Sequence, residues 1–205
     1  MGPTHADTLK CLGGLARAFE GMERYGEAVP LYRRIYETQQ KVLGENAAET
    51  LMSGNNLALA LKRDGKLGEA ENIFRDVLSR PEQVLGAEHE HTWVTVENLA
   101  GLYARMGKWQ LAQPLYRRRL ENAQRGFPAT RPEVALAAMN LGKALSNCNQ
   151  WSEATGFLEQ AVKGFRASFG DDHIGTREAI ELLAETERKI DMAEELNAWR
   201  DVGAE

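Results

Sequence analysis

Apolar residues recur along the chain at the spacing of an amphipathic helix. In the middle of the sequence, Val96, Leu99, Ala100 and Tyr103 fall at positions i, i+3, i+4 and i+7, which places their side chains on one side of a helix. A second apolar series of helical spacing follows over residues 111–120. Two such stripes in succession predict two helices that pack against each other through their apolar sides.

The residues around the stripes predict where these helices begin and end. Thr92 stands before the first stripe, where it is expected to cap the first turn, and Gly107 is expected to end that helix. Residues 125–133 contain a glycine and two prolines, which interrupt the chain after the second stripe. The segment is therefore predicted to form an antiparallel pair of helices with short connections.

The whole pattern recurs every 42 residues without an insertion. One helical position holds leucine in all copies, at Leu15, Leu57, Leu99, Leu141 and Leu183. Because a single pair cannot bury its apolar stripes alone, neighbouring copies must stack on one another. The sequence predicts an all-α solenoid of about five antiparallel helix pairs in one domain, with repeats at about 6–47, 48–89, 90–131, 132–173 and 174–205, the last incomplete.

The last copy differs from the others in both of its helices. Glu187 and Arg200 stand where the earlier copies have apolar residues. Trp199 occupies the repeat position, or column, that holds the core residues Leu31, Ile73, Leu115 and Phe157. A half-polar last pair is expected to end the stacking, with Trp199 buried against the fourth copy. The first copy has no half-polar helix of this kind. We therefore expect either that the chain is a fragment of a longer protein or that its first end face binds a partner, for example through end-to-end self-association.

The order of residue types within each copy resembles the tetratricopeptide repeat. Leucine and alanine are followed by an aromatic residue, a glycine, an alanine and a second aromatic residue. The 42-residue length and the linkers LGAEHEHT (85–92) and FGDDHIGT (169–176) are similar to those of kinesin light chains. The resemblance implies a right-handed superhelix in which the first helices of the pairs line a concave groove.

Asparagine occupies one position of the first helix in three copies, at Asn56, Asn98 and Asn140. A helix interior does not favour asparagine, because its side chain competes for backbone hydrogen bonds. The resemblance to kinesin light chains implies that these asparagines hold the backbone of an extended peptide. The residues themselves leave a second interpretation open, in which the asparagines bond between neighbouring repeats and serve only the stacking.

Cations lie beside the asparagines in the same helices, at Arg17, Lys62, Arg63, Arg105 and Lys143. Guanidinium and ammonium groups at such a surface would select acidic ligands. The first helix of the last copy instead carries acidic residues, at Glu178, Glu181 and Glu185. We therefore predict a groove that is positive along the first copies and negative at its far end, which would orient an acidic peptide.

Composition narrows the possible partners. The 205 residues are 43% hydrophobic and 27% charged, as in an ordinary globular protein, and the formal net charge of −5 disfavours nucleic acid. The arginines at 117–119 are interpreted as part of a solvated helix face. No apolar stretch approaches the roughly 20 residues that a helix needs to cross a membrane. Cys11 and Cys148 are expected to be buried thiols, and their isolation indicates a reducing, cytoplasmic location.

No group of residues has the spacing of an active site. The histidines of EHEH (88–91) are two residues apart, whereas zinc-protease helices need them four apart. His5, His89 and His173 share one repeat position, which indicates a structural role in the linkers. The pair at 142–143 lacks the earlier glycine and the following serine or threonine of a phosphate loop. The sequence predicts no enzyme, no cofactor and no metal.

The function favoured by these features is a non-enzymatic protein–protein interaction module. It would bind an extended, acidic peptide segment of a partner protein in its concave groove, without nucleic acid or membrane. Two alternatives stay open: a structural spacer or oligomerisation arm that makes contact through its end faces, and a regulatory repeat domain of a larger enzyme.

Overall fold

Nine α-helices and no strand are formed by the part of the chain that the computed structural model describes, namely residues 6–84 and 90–202, with side-chain surroundings for 6–80 and 92–199. The helices are α1 (Ala6–Gly21), α2 (Tyr25–Leu43), α3 (Ala48–Arg63), α4 (Leu67–Val84), α5 (Glu90–Arg105), α6 (Trp109–Gly126), α7 (Pro132–Asn147), α8 (Trp151–Phe169) and α9 (Ile174–Val202). The prediction of an all-α repeat solenoid is confirmed.

The chain divides into two compact units, residues 1–106 and 107–205. In the first unit each helix from α1 to α5 packs against the next, and α3 also contacts α5. In the second unit α6 to α9 pack in the same manner, and α7 also contacts α9. Helices that are consecutive in sequence are therefore neighbours in space, as stacking of helical pairs requires.

The core is built from the columns that recur every 42 residues. The small residues Ala16, Ala58 and Ala100 are completely buried, as are Leu57 and Leu141. An alanine in this column lets paired helices approach closely, while leucine fills the space between copies. The leucine column has an exception in the first copy, where the described chain contains no earlier copy to cover the side chain: Leu15 is 48% exposed.

A turn with the same geometry joins the two helices of each of the first four pairs. The second of its three residues has a positive φ in every case, at Glu23 (57°), Gly65 (81°), Gly107 (70°) and Asn149 (61°). Glycine and asparagine adopt this left-handed conformation more readily than other residues. The expectation that Gly107 ends the first helix of its pair is confirmed, since α5 stops two residues before it.

The recurring threonines do not cap the helices, contrary to expectation. Thr50 is the third residue of α3, and its hydroxyl donates a hydrogen bond to the carbonyl of Gly44 at 2.8 Å. Thr176 is the third residue of α9 and donates to the carbonyl of Gly170 at the same distance. Thr92 also lies inside its helix and is completely buried. The threonine thus ties the start of a new copy to the end of the preceding one.

His173 has the structural role that its repeat position indicates. Its ring stacks on Phe169 with 4.3 Å between ring centroids, and its Nδ1 accepts a hydrogen bond from the backbone N–H of Gly175 at 3.1 Å. The two contacts join the linker to the end of α8 and to the start of α9. The side chains of His5, His89 and His91 lie outside the described residues.

The predicted tenth helix is absent from the described residues, because α9 continues for 29 residues without a turn. Asp191 occupies the position of the left-handed turn residue but remains helical, since residues 187–195 contain neither glycine nor proline to interrupt the hydrogen-bonding pattern. The predicted burial of Trp199 is wrong: its side chain is 80% exposed. The polar residues Glu187 and Arg200 remove much of the apolar surface that a folded-back helix would bury.

We expect Gly142→Ala to destabilise the protein, even though four of the five copies carry alanine at this position. A Cβ there would lie 2.7 Å from Cγ of the buried Leu158 and 3.2 Å from the carbonyl oxygen of Ala154. Such overpacking should exceed the helix propensity gained, with a net loss of about 1 kcal/mol or more in the free energy of unfolding. Urea denaturation measures it.

The matched control is Gly156→Ala in α8, where a Cβ would meet nothing within 4 Å. This variant should gain about 0.5–1 kcal/mol from helix propensity alone. Equal stabilisation by both substitutions would show that α7 and α8 are not packed as closely as described.

Candidate functional site

The six sequence-predicted site residues of the first unit lie on its odd-numbered helices. We refer to them together as the polar strip: Arg17 on α1, Asn56, Lys62 and Arg63 on α3, and Asn98 and Arg105 on α5. The remaining two, Asn140 and Lys143, lie on α7 in the second unit and are described separately.

Asn98 bonds to a neighbouring copy. Its Nδ2 donates a hydrogen bond to Oδ1 of Asn55 at 3.1 Å, and Asn55 is buried with 8% of its surface exposed. This contact joins α5 to α3 and is the kind of bond that the stacking interpretation of the asparagines requires. Sequence reasoning did not single out Asn55, although it precedes Asn56 directly, because its column holds no other asparagine.

Arg63 is neutralised by a carboxylate of the first copy. Its Nη1 lies 3.1 Å from Oε1 of Glu20, and the hydroxyl of Tyr32 donates to the other oxygen of the same carboxylate at 2.7 Å. Burial, and then the charge and hydrogen bond of Glu20, raise the pKa of Tyr32 well above its usual value. Arg63 is therefore partly occupied in holding α1 to α3.

Lys62 and Arg105 belong to the part of the strip that lacks compensating charge. Among the residues whose side chains are described, neither makes an ion pair with a carboxylate. Burial, followed by the nearby guanidinium groups of Arg105 and Arg63, lowers the pKa of the Lys62 ammonium. An anion placed beside Lys62 would relieve this repulsion. Lys62 and Arg105 also lie in the last turns of α3 and α5, where cations interact favourably with the helix dipole.

A cavity of about 600 Å³ lies between α1, α2 and α3, and we call it the first-copy cavity. Two residues of the polar strip line it, Arg17 and Asn56. Its remaining walls are partly apolar, with Ile35 and Met52 among them, and partly polar, with Gln39. The sequence did not indicate this cavity, because it results from the packing of three helices from two copies.

In the second unit, Asn140 and Lys143 are both half-buried on α7. The predicted acidic residues of α9, which are Glu178, Glu181 and Glu185, are all exposed. Lys189 lies 2.8 Å from Glu185, and a hydrogen bond from this lysine lowers the pKa of Glu185, with a smaller contribution from Lys143. The second unit therefore carries both Lys143, on α7, and the three glutamates, on α9.

The arginine column of the second helices serves packing between copies. Arg33 pairs with Glu69 at 2.7 Å in the first unit, and Arg117 pairs with Glu153 at 2.6 Å in the second. In each case the glutamate lies 36 residues further along the chain, on the second helix of the next copy. A repeated bond between neighbours explains why this column is basic.

The chemistry of the described residues offers few other sites. Cys11 is exposed, which contradicts the expectation of a buried thiol, because none of the described helices covers that side of α1. Cys148 is half-buried, and burial raises the pKa of its thiol. Within the described ranges no three histidine, cysteine, aspartate or glutamate side chains come together as metal ligands. None of the described helices is both long and apolar enough to span a membrane.

Comparison with known families identifies the repeats. Two sequence profiles of the tetratricopeptide repeat match the chain, one at residues 46–125 and the other at 8–46 and 134–175. Together they cover four copies. None of the curated proteins compared with the sequence matches it.

Solved structures share the fold at low sequence identity. Nearly identical, kinesin light chain-like repeats from Podosopora anserina superpose with a TM-score of 0.81 at 23% identity, over 96% of this chain and 93% of that one. A single-residue variant of the same protein gives 0.82 at 22%, over 98% and 94%. BtubC (BKLC) from P. vanneervenii gives 0.70 at 20%, over 81% and 66%. At these identities the likeness concerns the fold.

We expect Lys62→Met to stabilise the protein at neutral pH. The substitution keeps the aliphatic length of the side chain and removes a partly desolvated charge that faces two arginines, which should contribute roughly 0.5 kcal/mol. Because the pKa of Lys62 is lower in the folded state than its ordinary value of 10.5, the unfolded chain binds the proton more tightly. The advantage of methionine should therefore shrink as the pH rises towards 10.5, as denaturation at several pH values would measure.

Lys66→Met is the matched control. The Lys66 ammonium lies 2.9 Å from Asp64, and its pKa is raised by that hydrogen bond. Its removal should give no stabilisation. A loss of stability in Lys62→Met would mean that the strip holds its ammonium favourably and does not need an anion.

Proposed function

The chain belongs to the tetratricopeptide-repeat family, and from that premise we propose that it is a non-enzymatic cytoplasmic module that binds an extended, acidic peptide segment of a partner protein along its polar strip. The fold supports protein–protein interaction in general. The peptide chemistry is the part that the residues of the first unit suggest.

The observation that carries this proposal is the uncompensated charge of Lys62 and Arg105. Two cations without carboxylate partners, one of them with a lowered pKa, are costly to hold close together. Several other cations of the described chain are matched, as Arg33 is by Glu69. A carboxylate from outside the chain is the simplest group that would complete the arrangement.

The asparagines would contribute orientation. An amide both donates and accepts, so it can pair with a peptide bond without selecting the side chain. Asn56 lines the first-copy cavity and is best placed for this role, while Asn98 already donates to Asn55. On the second unit, we propose that Asn140 and Lys143 make contacts of the same kind, and that the exposed glutamates of α9 repel an acidic segment.

The test is titration of a fluorescent acidic peptide into the wild-type protein and into Arg105→Glu, Asn56→Ala and Asn98→Ala. Arg105→Glu should weaken peptide binding about tenfold at low salt. The difference in affinity between this variant and wild type should diminish near 1 M salt, because salt screens charges at the protein surface. Asn56→Ala should cost on the order of 1 kcal/mol, the value of one hydrogen bond. Arg34→Glu, an equal charge change at an exposed position of α2 outside the strip, is the control.

The stacking interpretation gives a different result. Asn98→Ala would then lower thermal stability, by leaving Asn55 without its donor, and change binding no more than the control does. If acidic peptides bind equally to wild type and Arg105→Glu, the polar strip is not the site.

A second candidate function is self-association through α9. Met192, Leu196 and Trp199 follow one another at helical spacing and are 65%, 64% and 80% exposed. Large apolar residues at i, i+4 and i+7 form a stripe of the kind that packs against another helix. This stripe supports the spacer or oligomerisation role, with contacts at the end of the repeat array.

We expect the wild-type chain to dimerise at micromolar to higher concentration if this second function operates, and Leu196→Glu to abolish the dimer, because a buried carboxylate would lack a partner. Sedimentation equilibrium measures both. Glu195→Leu, on the neighbouring exposed position, is a control that should not prevent association. A monomeric wild type would exclude the stripe as an oligomerisation surface.

A further inference from the structure

The first copy lacks two side chains that the later copies possess. Gly13 and Gly14 stand where the second copy has the asparagine pair 55–56 and the fourth has Met139 followed by Asn140. Glycine inside a helix costs roughly 0.5–1 kcal/mol relative to alanine, so a pair of them in α1 opposes helix stability. Neither is required by the backbone, since neither has a positive φ.

The space left by Gly13 is part of the first-copy cavity. Gly13 lines that cavity, and a Cβ built on it would first meet Cδ1 of Ile35 at 3.9 Å, an ordinary van der Waals contact. In the second unit, Met139 occupies the equivalent position and is 94% buried, being 6% exposed. The helices of the fourth copy therefore cover an apolar side chain at this position, whereas in the first copy Gly13 leaves the place open.

The cavity offers apolar surface to solvent. Val42, Leu43 and Met52 line it and are 56%, 50% and 49% exposed. A cavity of about 600 Å³ lies within the range of ligand sites, roughly 300–1,000 Å³, and is larger than one side chain needs. It has room for a large aliphatic side chain together with part of the main chain that carries it.

Polar groups at the cavity restrict what can enter. Oε1 of Gln39 is buried without a hydrogen-bond partner among the described residues, so it is an acceptor that lacks a donor. Lys10 and Arg17 contribute positive charge at the lining, and Glu49 carries the one carboxylate among the described lining residues. A backbone N–H would satisfy Gln39, and a carboxylate beside the apolar side chain would meet the cations.

We infer that the first-copy cavity is a specificity pocket for one large aliphatic side chain, such as leucine, of the acidic peptide that binds the polar strip. The side chain occupies the place left by Gly13, and a main-chain N–H of the peptide donates to Gln39. This inference rests on the proposed function, and it adds the residue by which one acidic segment is distinguished from another. Arg17 and Asn56 belong to both the polar strip and the cavity lining, so one extended peptide can contact both.

The experiment uses two acidic octapeptides that differ only at the fourth position, leucine in one and serine in the other. Fluorescence titration should show that the wild-type protein binds the leucine peptide roughly tenfold more tightly or better, as expected for burying one aliphatic side chain. In Gly13→Met the methionine fills the pocket, as Met139 does in the fourth copy. This variant should bind both peptides with affinities within about twofold of each other and of the serine peptide on wild type.

Controls separate filling of the pocket from other effects. Ala18→Met adds the same side chain to an exposed position of α1 outside the cavity and should keep the preference for leucine. Methionine has a better helix propensity than glycine, so Gly13→Met is expected to fold, and its circular dichroism and melting temperature confirm this. Gln39→Met should weaken binding of the leucine peptide several-fold. N-methylation of the peptide at the leucine should weaken its binding to wild type but not its binding to Gln39→Met.

Each outcome has one meaning. If the leucine and serine peptides bind wild type equally, and Arg105→Glu weakens the binding of both, the pocket inference is overturned while the proposed function stands. If Gly13→Met retains the leucine preference, the pocket is also overturned. If neither peptide binds, the proposed function fails and the inference fails with it. Self-association of wild type that Gly13→Met abolishes, without peptide binding, would assign the cavity to a second copy and contradict the proposal.

Discussion

The structure depends on one constraint, which is that a pair of short amphipathic helices cannot bury its apolar sides without a neighbouring pair. Each copy must therefore present the same surface to the next at the same interval, and this accounts for the strict 42-residue spacing. The recurring contacts all serve it. Thr50 and Thr176 tie the start of a copy to the glycine that ends the previous one, and the Arg33–Glu69 bond is repeated as Arg117–Glu153.

Candidate function arises where this repetition is interrupted. Gly13 removes a side chain that stacking would use, and a cavity results. Lys62 and Arg105 bring like charges together without carboxylates, although Arg33 and Arg117 are paired between copies. Both features oppose stability: one lowers helix propensity, and the other desolvates a charge. Features that cost stability and are not compensated within the chain are the ones for which a ligand gives a physical reason.

Stacking and binding are not exclusive roles for the asparagines. Asn98 donates to the buried Asn55, which shows that the amide column contributes to the interface between α3 and α5. Asn56, one residue further along α3, lines the cavity instead. Because adjacent helical residues point about 100° apart, a pair of asparagines can serve the interface with one amide and a ligand with the other. Under the proposed function, the stacking interpretation applies to Asn98 and the binding interpretation to Asn56.

The sequence by itself determined the helical class, the pairing of helices, the position of the turns and the family, because the period of apolar residues and the glycines of the turns act locally and recur. It also named Arg17 and Asn56, which the fold does bring to one cavity. It did not determine that α9 continues straight past Asp191, that Trp199 is exposed, that Thr50 bonds backwards to Gly44, or that a cavity lies beside Gly13. The exposure of Trp199 and the cavity were decided by tertiary structure, because each depends on which helices face one another across copies. The bond of Thr50 and the continuous α9 are local conformations that the repeat pattern did not reveal. A residue's column gives its place in the repeat, but whether a neighbour covers it depends on packing.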